Sequence, residues 1–167
     1  MVFHPNRRTV LAGFAGIAGL AAVTPAVAQG GGTVHDIQML NKDPNNPRNR
    51  MLFSPRVLAI DPGDTVRFLP VDPGHNAQTI DGMVPEGAEG WRSKLNEEFE
   101  VTLTVPGIYG YKCLPHLGMG MVGVVFVRGE GMLENLELAQ SVRQRGRAAK
   151  AFEEIWAEAE QIGLMTA

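Results

Sequence analysis

Short β-prone runs separated by turn residues fill the middle of this sequence, and they restrict its fold more than any other feature. Residues 99–105 alternate apolar and polar side chains without a break, which is typical of an antiparallel strand with one buried face. Residues 61–64 (DPGD) and 106–107 (PG) are strong turn signals next to such runs. The pattern predicts a mainly β fold, a β-sandwich of about eight strands.

Eight segments have the composition of strands. They are residues 35–40, 51–54, 56–60, 65–70, a segment that begins at residue 75, 99–105, 108–113 and 121–127. The last of these is apolar almost throughout, which predicts a central strand. Residues 41–50 (NKDPNNPRNR) are rich in Asn and Pro and predict a loop.

The C-terminal residues change to a helical pattern. Residues 133–144 and 148–162 are predicted to be helices, and Phe152, Ile155, Trp156 and Ala159 follow the i, i+3, i+4, i+7 spacing of a buried helix face. Gly146, between the two, is a candidate helix cap. We therefore expect residues 29–129 to form the sandwich and residues 130–167 to form a two-helix tail packed on the same domain.

The first 28 residues have the order of a secretory signal peptide. Arg7 and Arg8 precede an apolar run over residues 10–23, and Ala26-Val27-Ala28 follows it. The adjacent arginines favour the twin-arginine export route. The alternative is a short membrane anchor, but the apolar run falls short of the roughly 20 residues that a spanning helix needs. We expect cleavage after Ala28 and hence no stable membrane association.

Net charge argues against two classes of partner. The chain has a formal net charge of −3, and loss of Arg7 and Arg8 with the signal peptide would make the mature protein more acidic still. Nucleic acid and anionic membrane are therefore not expected to bind through bulk charge.

Residues 112–121 (KCLPHLGMGM) contain the only cysteine of the chain, Cys113, followed by His116, Met119 and Met121. Thiolate, imidazole and thioether are soft ligands that suit copper, and a trigonal His₂Cys plane with a weak axial Met is the ligand set of a blue copper site. A second histidine would come from His75, which follows a turn. The spacing alone leaves either methionine as the axial ligand.

Three sequence elements together identify a family resemblance. GHN at residues 74–76, PEGAE at 85–89 and CxPHxxMGM at 113–121 resemble the pseudoazurins, a family of bacterial periplasmic cupredoxins that carry single electrons. The similarity extends from residue 35 through both predicted helices. It implies a cupredoxin-like Greek-key sandwich that binds one type 1 copper ion in the periplasm.

The resemblance also implies ligands and partners. It assigns copper to His75, Cys113, His116 and the axial Met121, whereas Met119 has the spacing of amicyanin, a cupredoxin with a shorter loop. The expected partners are nitrite reductase or cytochromes, which would dock transiently around His116 of a monomer. Further family matches are Met51, near the exposed histidine, and a basic ring of Lys42, Arg92, Lys94 and Lys112; one expected lysine of that ring is Pro73 in this chain.

Two other functions compete with electron transfer. A copper enzyme needs an open coordination position or a second copper centre, and after the signal peptide only His35, His75 and His116 remain. His35, close to the expected new N-terminus, is predicted to be a surface histidine. Periplasmic copper storage or delivery is the alternative function, but delivery needs exposed and exchangeable ligands. We therefore do not expect an enzyme.

Overall fold

The computed structural model describes residues 32–166; the predicted signal peptide lies outside this range. Two four-stranded sheets pack face to face and are followed by two helices. The strands are β1 (Val34–Lys42), β2 (Arg50–Ser54), β3 (Val57–Ile60), β4 (Asp64–Leu69), β5 (Gln78–Thr79), β6 (Phe99–Leu103), β7 (Gly107–Lys112) and β8 (Val122–Val127). The helices are α1 (Leu136–Ser141) and α2 (Gly146–Gln161). The mainly β fold with two C-terminal helices is confirmed.

The strand orders are β2-β1-β4-β6 in the first sheet and β3-β8-β7-β5 in the second, so the chain crosses repeatedly between sheets. The pairs β1–β4 and β3–β8 are parallel, and the others are antiparallel. The alternation in β6 has the predicted consequence: Leu103 is buried, whereas Glu100 and Thr102 are exposed. The core between the sheets contains a cluster of aromatic rings. They belong to Phe53, Phe68, Trp91, Tyr109 and Tyr111.

The second sheet is buried on both faces because the helices cover the side that faces away from the first sheet. Val124 and Phe126 of β8 pack with Phe152 and Ile155 of α2. All six residues of β8 are therefore buried, which explains why this strand lacks the alternation of β6. The same layer agrees with the helical spacing of the C-terminal sequence, since Phe152, Ile155 and Ala159 are buried. Trp156, the fourth residue of the predicted face, is only half-buried and packs at the edge of this cluster.

The helix boundaries differ from those predicted. The first helix has six residues instead of twelve. It begins only after Asn135, whose side chain is hydrogen-bonded to the backbone of β7, and it ends at Val142, where the chain becomes extended. Gly146 does not cap that helix. It begins α2 with a φ of 57°, a left-handed conformation that glycine adopts with little strain.

We predict that Asn135→Ala destabilises the protein. The buried Asn135 side chain accepts a hydrogen bond from the Ile108 amide (2.9 Å) and donates one to the Ile108 carbonyl (2.8 Å). Each buried group left without a partner costs about 1–3 kcal/mol, so urea unfolding of the metal-free protein should show a loss of about 2 kcal/mol or more. Asn49→Ala, which removes an exposed bond to Asp43, is the control. Equal losses in the two variants would contradict the role given to Asn135.

Candidate metal centre

Cys113, His116 and Met121 lie on one tightly hydrogen-bonded loop between β7 and β8. The Cys113 amide donates to the Met121 carbonyl (3.0 Å), and the Met121 and Met119 amides both donate to the His116 carbonyl (3.2 and 2.9 Å). A 3₁₀ turn, Leu117–Met119, closes with Gly120 at a φ of 89°. This folded loop brings the ends of the two strands together and fixes where each side chain begins.

His75 reaches the same place from the loop between β4 and β5, and two asparagines hold it there. Asn76 accepts a hydrogen bond from the Leu114 amide (2.8 Å) and so ties the two loops together. Asn96 accepts from the Gly74 amide, and its own amide donates to the His75 carbonyl (2.8 Å). The role of Asn96 is not predicted by the sequence. Its φ of 60° is a left-handed conformation that asparagine adopts more readily than most residues, but the sequence does not show that its partners are Gly74 and His75.

Three ligand atoms converge in the space between the loops. His75 Nδ1 and His116 Nδ1 are 3.1 Å apart, and Cys113 Sγ lies 3.7 Å from the first and 3.5 Å from the second. Atoms at these separations surround a point about 2 Å from each, close to the metal–nitrogen and metal–sulfur bond lengths that zinc shows in proteins, roughly 2.0 and 2.3 Å. The trio is therefore the right size to hold one metal ion in its plane.

The protonation of the site follows from burial. Burial raises the pKa of the Cys113 thiol above its usual value, although the backbone N–H groups of Asn76 and His116 oppose this by favouring the thiolate. Burial also lowers the pKa of His75, and the neighbouring His116 lowers it further. At neutral pH the metal-free site thus holds a neutral thiol and, at His75, a neutral imidazole.

The structure distinguishes the two methionines by burial. The Met121 side chain is fully buried in the core cluster that contains Cys113. Met119 is 40% exposed. Met51 is half-buried and packs against that same core cluster. His35 is not part of the centre, because its Nε2 atom pairs with Asp64 at 2.8 Å.

A buried thiol and two imidazoles that converge at one end of an eight-stranded sandwich define a cupredoxin with a type 1 copper site. The family model of copper binding proteins, plastocyanin/azurin family, matches residues 41–128. The chain belongs to that family and, within it, to the pseudoazurins. The soft donor set fits copper, and copper is the cofactor of this site.

Three relatives support the narrower assignment. The chain is 41% identical over 145 residues to the pseudoazurin of Paracoccus pantotrophus, an alignment that covers 87% of this chain and 94% of the relative. Among solved structures, a pseudoazurin from Sinorhizobium matches with a TM-score of 0.72 and 43% identity, covering 78% of this chain and 99% of that one. The pseudoazurin of Methylobacterium extorquens AM1 matches with a TM-score of 0.69 and 38% identity, covering 75% and 98%.

We predict that metal binding releases about one proton at pH 8. The raised pKa of Cys113 keeps the thiol protonated at this pH, whereas His75, with a lowered pKa, has no proton to release. A metal ion coordinates the thiolate, so its binding must displace the thiol proton. Calorimetric titration with Zn²⁺ in two buffers of different ionisation enthalpy counts the protons. Cys113→Ser should abolish the release. A wild-type value near zero would mean that the thiol is already ionised.

Proposed function

We propose that this protein is an electron carrier that moves single electrons between redox proteins. Bound copper would supply the chemistry by alternating between Cu(II) and Cu(I). The observation that carries the proposal is the ligand triangle of Cys113, His75 and His116, whose three atoms lie 3.1 to 3.7 Å from one another. A ligand set fixed by the protein changes little when the charge of the metal changes, and such a site suits rapid electron transfer.

The copper ligands in this proposal are His75, Cys113, His116 and Met121. His75, Cys113 and His116 would form the trigonal plane around the ion. Met121 would be the axial ligand, which its burial in the cluster of Cys113 and the exposure of Met119 support. Asn76 and Asn96 are positioning residues that offer no ligand atom to the triangle. Asn76 ties the histidine loop to the cysteine loop, and Asn96 bonds to the histidine loop at Gly74 and His75.

Electrons would enter and leave through His116, the half-buried ligand. Its neighbours in the chain from Leu114 to Met121 are uncharged, and Leu114 and Met119 are 46% and 40% exposed. Leu95, 55% exposed, lines a cleft with Leu114 and Pro115 and extends this apolar patch. A small apolar contact favours brief docking, which a carrier needs in order to turn over.

Basic residues border the patch on one side. Arg92 and Lys94 line the cleft that contains Leu95 and Leu114. Gln78 pairs with Lys112 on one side and with Arg92 on the other, so the sheet places both cations in one row. These charges support docking with an acidic partner surface.

The proposed partners are a nitrite reductase or cytochromes, and the proposed compartment is the periplasm. The support is the family membership and the order of residues 1–28, which is that of an export signal. Within residues 32–166, no helix is long and apolar enough to cross a membrane.

Copper storage or delivery is a weaker proposal because the ligands are poorly accessible. His75, Cys113 and Met121 are fully buried, so a receiving protein could not contact them without opening the loops. A copper enzyme would need further ligands, and the described residues contain no second cluster of histidine, cysteine or acidic ligands.

We predict that Met121→Gln shifts the visible spectrum and the reduction potential markedly, whereas Met119→Gln shifts them slightly. The reason is that only the buried Met121 would act as the axial ligand. Cys113→Ala should remove the intense colour, because the charge-transfer band needs the thiolate. The checks are absorption spectroscopy and voltammetry of the copper-loaded variants. The reverse ranking of the two methionine variants would overturn the axial assignment.

We predict that Lys94→Glu and Lys112→Glu slow electron transfer to an acidic redox protein at low salt. Charges at the edge of a docking surface act mainly on the association rate. The effect should fade as salt shortens the Debye length to about 8 Å at 0.15 M, and the potential should change little. Stopped-flow kinetics over a range of ionic strength provide the check. Wild-type rates in both variants would show that the apolar patch docks alone.

A further inference from the structure

Met119 has no role at the metal in the proposed function, although it belongs to the same loop as the ligands. Its spacing from Cys113 makes it a candidate ligand in the sequence, but Met121 is the buried methionine and Met119 is 40% exposed. A thioether in contact with water is open to oxidation to the sulfoxide. Exposure therefore gives Met119 a chemistry of its own, separate from copper binding.

The other sulfur atoms within residues 32–166 are shielded by packing. Cys113 is fully buried. Three methionines are at most 1% exposed: Met39, Met83 and Met121. Three more are half-buried and pack against a core cluster: Met51, Met132 and Met165. Of the methionines that the structure describes, only Met119 belongs to neither core cluster, so a peroxide in solution should reach its sulfur first.

Main-chain hydrogen bonds hold the Met119 side chain at the surface. The Met119 amide donates to the His116 carbonyl (2.9 Å), and the Gly120 amide donates to the Leu117 carbonyl (2.9 Å). These bonds fix the 3₁₀ turn that Met119 ends. None of the bonds uses the thioether, so oxidation of the side chain leaves the turn and the neighbouring ligands in place.

Met119 lies at the border between the apolar patch around His116 and a polar cavity of about 720 Å³, which Arg147 and Lys150 also line. A Cβ added to Gly120 would be 3.5 Å from the Arg147 Cβ, so the Arg147 side chain starts beside the turn. Neither cation makes an ion pair within residues 32–166. Their N–H groups can donate to an oxygen carried by the Met119 sulfur.

We propose that Met119 is a site of reversible oxidation to methionine sulfoxide, and that the sulfoxide slows electron transfer by making the docking patch polar. This inference rests on the proposed function. Hydrogen peroxide transfers one oxygen atom to the sulfur: the O–O bond breaks, an S–O bond forms and water leaves, so the sulfur loses two electrons and the peroxide gains them. Methionine sulfoxide reductases reverse the step; a dithiol supplies the electrons and becomes a disulfide, and the oxygen leaves as water.

The sulfoxide would act on docking and not on the metal. A thioether is a weak hydrogen-bond acceptor, whereas the sulfoxide is polar and must lose its water when a partner covers the patch. Loss of that hydration without a new donor disfavours the complex. Met121, the proposed axial ligand, is fully buried, so the colour and the reduction potential should stay as they are.

The first measurement locates the oxygen. The Cu(II)-loaded protein is treated with hydrogen peroxide until mass spectrometry shows one added oxygen atom per chain, and the peroxide is then removed. Trypsin cleaves after Lys112 and Arg128, so Met119 and Met121 fall in one peptide, and fragmentation of that peptide distinguishes them. We expect the oxygen on Met119. An oxygen that appears first on any other methionine would overturn the inference.

The second measurement compares the rate of electron transfer from the reduced protein to a c-type cytochrome by stopped flow, with each protein measured against its own untreated form. Peroxide treatment should slow the wild-type protein roughly three- to tenfold, and a methionine sulfoxide reductase should restore its rate. Met119→Leu, an exchange that conserves volume and removes the oxidisable sulfur, should keep its own rate. Met132→Leu, the matched control at a half-buried methionine, should slow as the wild type does.

Three results would contradict the inference: an unchanged rate in wild-type protein that carries the sulfoxide at Met119, an equal loss of rate in Met119→Leu, or a shift of the colour and potential that accompanies the loss of rate. The last would show that the oxygen acts on the metal. Failure of the proposed carrier function has a different signature, because the untreated protein would then not reduce the cytochrome, whereas mass spectrometry would still locate the oxygen.

Discussion

One hydrogen bond joins the two halves of the copper site. The Asn76 side chain accepts from the Leu114 amide, and through it the loop with His75 is held against the loop with Cys113. The second of these loops is rigid in its own right, because the amides of Cys113 and Met121 bond within it. With both loops fixed, the three ligand atoms meet at separations that suit one metal ion. The sandwich beneath supplies the strand ends from which each loop starts.

Holding these groups together has a cost that the rest of the core must offset. A thiol and an imidazole are buried at the end of an apolar cluster, and burial disfavours the charged form of each group. The metal-free protein therefore keeps the site neutral at His75 and Cys113. The helical layer contributes to the offset by burying the second face of the sheet that carries Cys113, through contacts such as those of Phe152 and Ile155.

Local patterns in the sequence predicted much of this structure, and tertiary contacts account for what they did not. The alternation of residues 99–103 and the spacing of Phe152 and Ile155 depend on one strand and one helix, so they could be read directly. The soft ligands of residues 113–121 likewise lie close together in the chain, so their chemistry is visible in the sequence. The assignment of His75 and Met121 to copper remains a prediction. In contrast, Asn96 and the short α1 depend on partners far away in sequence.

The parallel pairing of β3 with β8 has a consequence for how the chain reaches this structure. Residues 57–60 find their partner strand only at residues 122–127, so the second sheet cannot form until most of the chain has been synthesised. The chain loses conformational entropy when a loop of that length closes, before the contacts that offset this loss can form. Topologies rich in such distant contacts therefore fold slowly. The unpaired β3, with Val57 and Ile60 exposed, would meanwhile be an open strand edge. Folding of this protein is thus expected to be complete only late in synthesis. Pairing of β8 completes the second sheet and, in the same step, fixes the end of the loop that carries Cys113, His116 and Met121.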